Sequence, residues 1–147
     1  MIQKLKQIWA QAASSPAPSK QHDTSMAVAA LMVEIMRMDG KLDSVEHARI
    51  KGTLEKRFGL GKTEVHQLIE EATSETEQAL DLRQFTSVVV NAFTTPERVH
   101  ILAELWQVAK ADGHIDPYEE QLIRRIAELL GLHHSQFIEA KIEAGVA

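Results

Sequence analysis

The sequence predicts an all-α fold, a compact bundle of about seven helices built from two similar halves in a pseudo-two-fold arrangement and preceded by a short amphipathic helix. Three observations carry that expectation. Apolar residues recur every three or four positions through most of the chain. No run alternates with the period of two that a half-buried strand requires. Residues 27–73 return in altered form as residues 100–145. At 147 residues and 44% hydrophobic content, the chain has the size and composition of one folded domain.

Taken in order, residues 1–13 place Ile2, Leu5, Ile8, Trp9 and Ala12 on one helical face, with Lys4, Lys6 and Gln7 mostly opposite. Residues 14–24 open with "SSPAPSK", whose prolines and serines predict a linker. The helical domain is expected over 25–147. "SMAVAALMVEIMRM", from Ser25 to Met38, is apolar almost all round, as suits a helix packed on several sides, and Gly40 supplies a stop. Ile50, Leu54 and Phe58 mark an amphipathic helix over 44–58 that ends at Gly59 or Gly61. Thr63 is the expected cap of the next helix, which carries Val65, Leu68, Ile69 and Ala72 inward. Glu64, Glu70, Glu71, Glu75, Glu77 and Asp81 read as its solvated face. Leu82, Phe85, Val88, Val89 and Phe93 keep helical spacing despite the β-branched valines. Thr95 is the expected N-cap of a helix from Pro96 to Ala111; a helix from Pro117 to Leu130 and a last one capped by Ser135 follow the "DGHID" link.

The repeat is ordered. An offset of 73 residues sets Val28 on Ile101, Met32 on Leu105, Asp39 on Asp112, Gly40 on Gly113, Asp43 on Asp116 and Glu46 on Glu119. The register then slips by one, so that Gly59 meets Gly131 and Thr63 meets Ser135. Two copies are too few for a solenoid and are expected to close on each other.

Composition removes several classes of function. Without cysteine there is no disulfide, thiolate metal site or cysteine nucleophile, and a reducing cytoplasm fits. A net charge of -5 argues against a nucleic-acid binder. No apolar run approaches a bilayer span, and no secretory signal is recognisable. The Gly-x-Ser-x-Gly elbow, the phosphate loop and the His-Glu-x-x-His helix are all missing, so no enzymatic activity is expected. His133 and His134 are expected on a surface loop.

The candidate site is the pair of acidic links, Asp39, Asp43 and Glu46 in the first and Asp112, Asp116, Glu119 and Glu120 in the second. Two readings compete. In the first, Asp43 and Asp116 are N-caps and Glu46 and Glu119, three residues on, close capping boxes, each carboxylate gaining about 0.3–1 kcal/mol beside the helix dipole. Asp39 and Asp112 fit this poorly, since they stand near the negative end of the preceding helix. In the second, these oxygens are ligands for a hard divalent cation, Ca²⁺, Mg²⁺ or Mn²⁺. Neither link is an EF-hand, because the next helix begins within four residues of the first acid.

The boxes "MDGKLDSVEHARI" and "ADGHIDPYEEQLI" resemble those of the TerB-like family, named for tellurite-resistance protein B, and more narrowly its short bacterial members. The likeness runs from about Ala27 to Ala144. It implies a compact helical domain of two similar halves, an acidic patch proposed to chelate metal that falls on the seven acids named above, and an association with bacterial stress responses, tellurite resistance among them. The copies differ at His47 against Glu120 and Lys41 against His114, leaving the first link less acidic. The expected function is a non-enzymatic regulatory or scaffolding module with a cation-binding patch; the alternative is a protein-interaction module without metal. The expected partner is another protein. Residues 2–12 are expected to pack on the body or form a homodimer contact in preference to touching a membrane surface.

Overall fold

The computed structural model describes residues 18–38 and 44–146, with side chains from Lys20 onward. Seven α-helices make up the fold over these residues, with no strand among them: α1 Pro18–Arg37, α2 Ser44–Phe58, α3 Lys62–Gln78, α4 Arg83–Ala92, α5 Thr95–Lys110, α6 Pro117–Leu129 and α7 His134–Glu143. The amphipathic segment 1–13 lies outside the described residues.

Two apolar helices form the centre. In α1, Ala27 through Val33, Ile35 and Met36 are all buried, and the helix packs against α2, α3, α4, α5 and α6. In α5, Val99, Ile101 to Trp106, Val108 and Ala109 are buried against α1, α2, α6 and α7. Each fully buried Leu, Ile, Val or Met contributes roughly 1.5–3 kcal/mol, so these two helices dominate the stability. The all-round apolarity of both follows from their being enclosed on several sides. Trp106 sits at the α5–α7 contact, its ring edge to face with Phe137 at 5.5 Å and under the Lys141 ammonium at 5.2 Å. The halves share a packing order: α1 packs on α2 and most extensively on α3, and α5 packs likewise on α6 and α7. That order establishes equivalent contacts between the halves, not an axis.

The helix ends explain where the chain turns. Gly59 and Gly131 take φ of +63° and +72°, and the amides of Leu60 and Leu132 reach back five residues to the carbonyls of Glu55 and Ala127 at 3.2 and 3.0 Å. These are matching Schellman endings, each followed by a leucine that packs on the core. Arg98 ties two further ends together, donating from Nε to the Phe93 carbonyl at 3.2 Å and from Nη1 to the Leu130 carbonyl at 2.5 Å.

Four expectations about helix starts are corrected. Helix α1, described from Pro18 to Arg37, takes in seven residues of the expected 14–24 linker, because the residues after Pro18 can all continue a helix. Gly61, not Thr63, caps α3, its amide donating to Glu64 Oε1 at 3.2 Å. Thr94, one residue before Thr95, caps α5 in a full capping box with Glu97, at 2.8 Å and 3.4 Å. His133, not Ser135, starts α7, with Gln136 Oε1 accepting from its amide at 2.8 Å. In the last three a Glu or Gln side chain three residues on secures the backbone and decides the boundary.

Candidate functional site

The second acidic link is held from both sides. As α5 ends, Gly113 turns the chain at φ +90° and donates its amide to the Lys110 carbonyl at 2.8 Å. Asp112 Oδ1 accepts from the His114 amide at 2.9 Å. This Asx-type turn is a local reason for an acid that the dipole of α5 disfavours. Asp116 Oδ1 accepts from the Tyr118 amide at 2.7 Å, and Glu119 Oε1 accepts from the Asp116 amide at 3.1 Å, completing the expected capping box. Glu119 is buried, while Glu120 turns toward α7, with Oε1 3.7 Å from Lys141 Nζ.

A hard cation needs several oxygens converging on one point. Here Asp112, Asp116 and Glu119 each direct an oxygen at a backbone amide, and Glu120 faces a lysine. Among the described residues no three acids or histidines are grouped so as to hold a metal ion. Of the first link, Glu46 is described and is wholly buried in the first turn of α2, the position that Glu119 holds in α6. Asp39 and Asp43 lie outside the described residues.

The richest polar constellation lies elsewhere, on the seam between α2 and α5. Arg57 donates from Nε to Glu104 Oε1 at 2.7 Å, with Nη2 also against that oxygen. The guanidinium stands 5.9 Å above the Phe93 ring. Burial pushes the guanidinium's pKa down, opposed by the nearby Glu97 carboxylate. His100, one turn before Glu104, has Nε2 3.7 Å from it and Nδ1 2.6 Å from Glu143 Oε1 on α7. Across the seam from Glu104 run Ala48, Arg49, Gly52, Thr53 and Lys56 of α2. No helix among the described residues is long and apolar enough to cross a membrane.

The sequence matches the family described as "Tellurite resistance protein TerB" over residues 25–142. The chain belongs to the TerB family. A structural relative of this TerB chain is a protein of unknown function from Porphyromonas gingivalis W83, at 21% identity and a TM-score of 0.63, covering 84% of this chain and 89% of that one. The likeness to that protein establishes a shared fold. No curated protein matches the sequence.

Asp116 and Glu119 are legible from spacing alone, because a capping box has a fixed interval of three residues. The α2–α5 seam of the TerB fold was not found. Its parts are 47 residues apart from Arg57 to Glu104, and no local pattern joins them. One signal was present: Gly52 interrupts an otherwise helix-favouring run beside Arg49, Lys51, Lys56 and Arg57. His133 and His134 are exposed, but they form the N-cap and first residue of α7 instead of a surface loop; His134 stacks on Phe137 at 6.0 Å.

Proposed function

We propose that this TerB-family chain is a non-catalytic regulatory or scaffolding module that acts in the cytoplasm through contacts with other proteins, its acidic links serving as helix punctuation. The observation that carries the proposal is the engagement of Asp112, Asp116 and Glu119 with backbone amides of their own link. The family's name adds an association with bacterial stress, tellurite resistance among them. The cation-binding reading keeps one support, the burial of Glu46 and Glu119 at matching positions in the two halves; Asp39 and Asp43 would have to complete its ligand set.

Thermal unfolding of metal-stripped protein titrated with Ca²⁺, Mg²⁺, Mn²⁺ and Zn²⁺ separates the two, since an ion bound only by the folded state raises the melting temperature as it saturates. The proposal expects no saturable rise. A rise that Asp39→Asn with Asp112→Asn abolishes would overturn it and establish the cation patch.

A further inference from the structure

The seam between α2 and α5 opens as a continuous furrow. Two adjoining hollows of about 580 and 460 Å³ share Ala48, Arg49 and Gln107. One end is cationic: Arg49 and Lys56 are exposed and, among the described residues, neither has an ion-pair partner. The carboxylate on that wall, Glu104, is already engaged by Arg57. At the other end Val45, Ala48, Ala111 and Ala144 give a small apolar patch beside Lys110, whose ammonium donates to the Gly145 carbonyl at 2.7 Å. Val45 is among the most exposed large apolar side chains of the described fold.

Gly52 is the second, independent observation. It lies within α2, is exposed, and lines the furrow. A mid-helix glycine weakens a helix relative to alanine, so it calls for a reason. Packing within this chain supplies none: a Cβ built there meets nothing within 4 Å. Bare backbone on the furrow floor between Ala48 and Lys56 is what the close approach of another polypeptide needs.

We propose that the α2–α5 furrow docks an acidic peptide segment of a partner protein, its carboxylates on Arg49 and Lys56, its backbone over Gly52, and an apolar side chain against Val45 and Ala48. This rests on the protein-contact part of the proposed function, not on the role of the acidic links, and gives that contact its surface. Charge complementarity selects the occupant: on a chain with a net charge of -5, Arg49 and Lys56 stand exposed on the same seam with no ion-pair partner among the described residues.

The test uses the full chain and a fluorescein-labelled peptide of repeating Glu-Glu-Leu, with Gln-Gln-Leu and Lys-Lys-Leu peptides as controls, followed by fluorescence anisotropy in the presence of chelator. Expected is saturable binding of the glutamate peptide alone, weakening as salt rises. Arg49→Glu with Lys56→Glu should weaken it at least tenfold. Gly52→Gln should do the same while its melting temperature stays at or above wild type, since glutamine is the better helix former; misfolding therefore cannot account for that loss. Absence of saturable binding, equal binding by the glutamine peptide, or binding unchanged in both variants overturns the furrow assignment. Sedimentation velocity supplies another refutation: a dimer abolished by Arg49→Glu with Lys56→Glu makes a second copy the occupant. Peptide binding that survives the furrow variants leaves the module reading standing, whereas a saturable metal-driven rise in melting temperature overturns that reading with the furrow intact.

Discussion

Arg57→Ala should be among the most damaging single polar substitutions in this fold. The Arg57 and Glu104 side chains are only 15% and 9% exposed and meet at 2.7 Å through Nε. At an effective dielectric near 20, opposite charges about 4 Å apart attract by ~4 kcal/mol, most of which offsets the cost of removing both from water. Truncating one partner keeps the desolvation of the other and loses the attraction. The expected destabilisation is thus about 3–5 kcal/mol, with loss of the guanidinium's packing over Phe93 contributing to it. Replacing both, as Arg57→Met with Glu104→Leu, should return most of that loss, because two apolar side chains of similar volume need no partner. Urea unfolding of wild type, both single variants and the double variant closes a thermodynamic cycle. His100, 3.7 Å from Glu104, is too distant for a normal hydrogen bond and should not rescue the carboxylate. A loss below about 1 kcal/mol for Arg57→Ala would put the pair in the class of solvated surface bridges and refute this account.

Gly131→Ala should destabilise by about 1–2 kcal/mol, since its φ of +72° is costly for any L side chain, and Gly59→Ala at +63° should act alike; urea midpoints check both. A new Cβ at Gly131 would stand 3.4 Å from Arg98 Nη1, an ordinary contact, so backbone strain alone should set the loss at both positions. Asp116→Ala removes an N-cap and should cost about 1 kcal/mol, whereas Asp116→Asn and Asp116→Ser should retain most of it; equal losses from all three would show that the side-chain acceptor is unimportant. The pKa of His47 lies below its usual value, first through burial and then through Lys51 and His66. Its folded state therefore binds protons less readily than its unfolded state. The contribution is fully present above the ordinary value of about 6.5 and is lost as pH falls through the lower folded value. Unfolding midpoints between about pH 5 and 7.5 should accordingly slope less in His47→Gln than in wild type.

What was legible in the sequence was whatever a short interval encodes. The helical period of Val65, Leu68, Ile69 and Ala72 predicted their burial, and all four are buried in α3. Gly59 was expected to end its helix, and the repeat sets Gly131 on it and Gly113 on the stop at Gly40; Gly59, Gly113 and Gly131 each take the positive φ that favours glycine. Asp116 and Glu119 announced their capping box. Boundaries failed where two residues compete for one role, as with Thr94 and Thr95: the winner is set by which backbone amide Glu97 can reach, a matter of a single residue of register. The helix dipole alone disfavours Asp112, and the Asx-type turn to the His114 amide that holds it forms only in the folded link. The α2–α5 seam was illegible because Arg57 and Glu104 become neighbours only when the halves pack.

The repeat gives the furrow a sharper meaning. At the offset of 73 residues that sets Glu46 on Glu119 and Ile50 on Ile123, Gly52 falls on Arg125, and Arg49 falls on Leu122. The structural positions agree between halves: Glu46 and Glu119 are both buried in the first turns of their helices, and Ile50 and Ile123 are both in the core. The furrow positions do not agree. Arg125 is an ordinary exposed helix residue, with Nη1 3.8 Å from Glu128, while Leu122 is buried. Positions required for closing each half are thus held in common, and the bare glycine with the exposed arginine three residues before it belongs to one half alone. A helix stop or a capping box would be wanted in both copies; a docking surface is wanted once. If that distinction holds, Arg125→Gly should weaken α6 by about 1 kcal/mol without creating peptide affinity, and Gly52→Arg should strengthen α2 by a similar amount while abolishing it. Equal effects of the two exchanges on peptide binding would show that the difference between the halves has nothing to do with recognition.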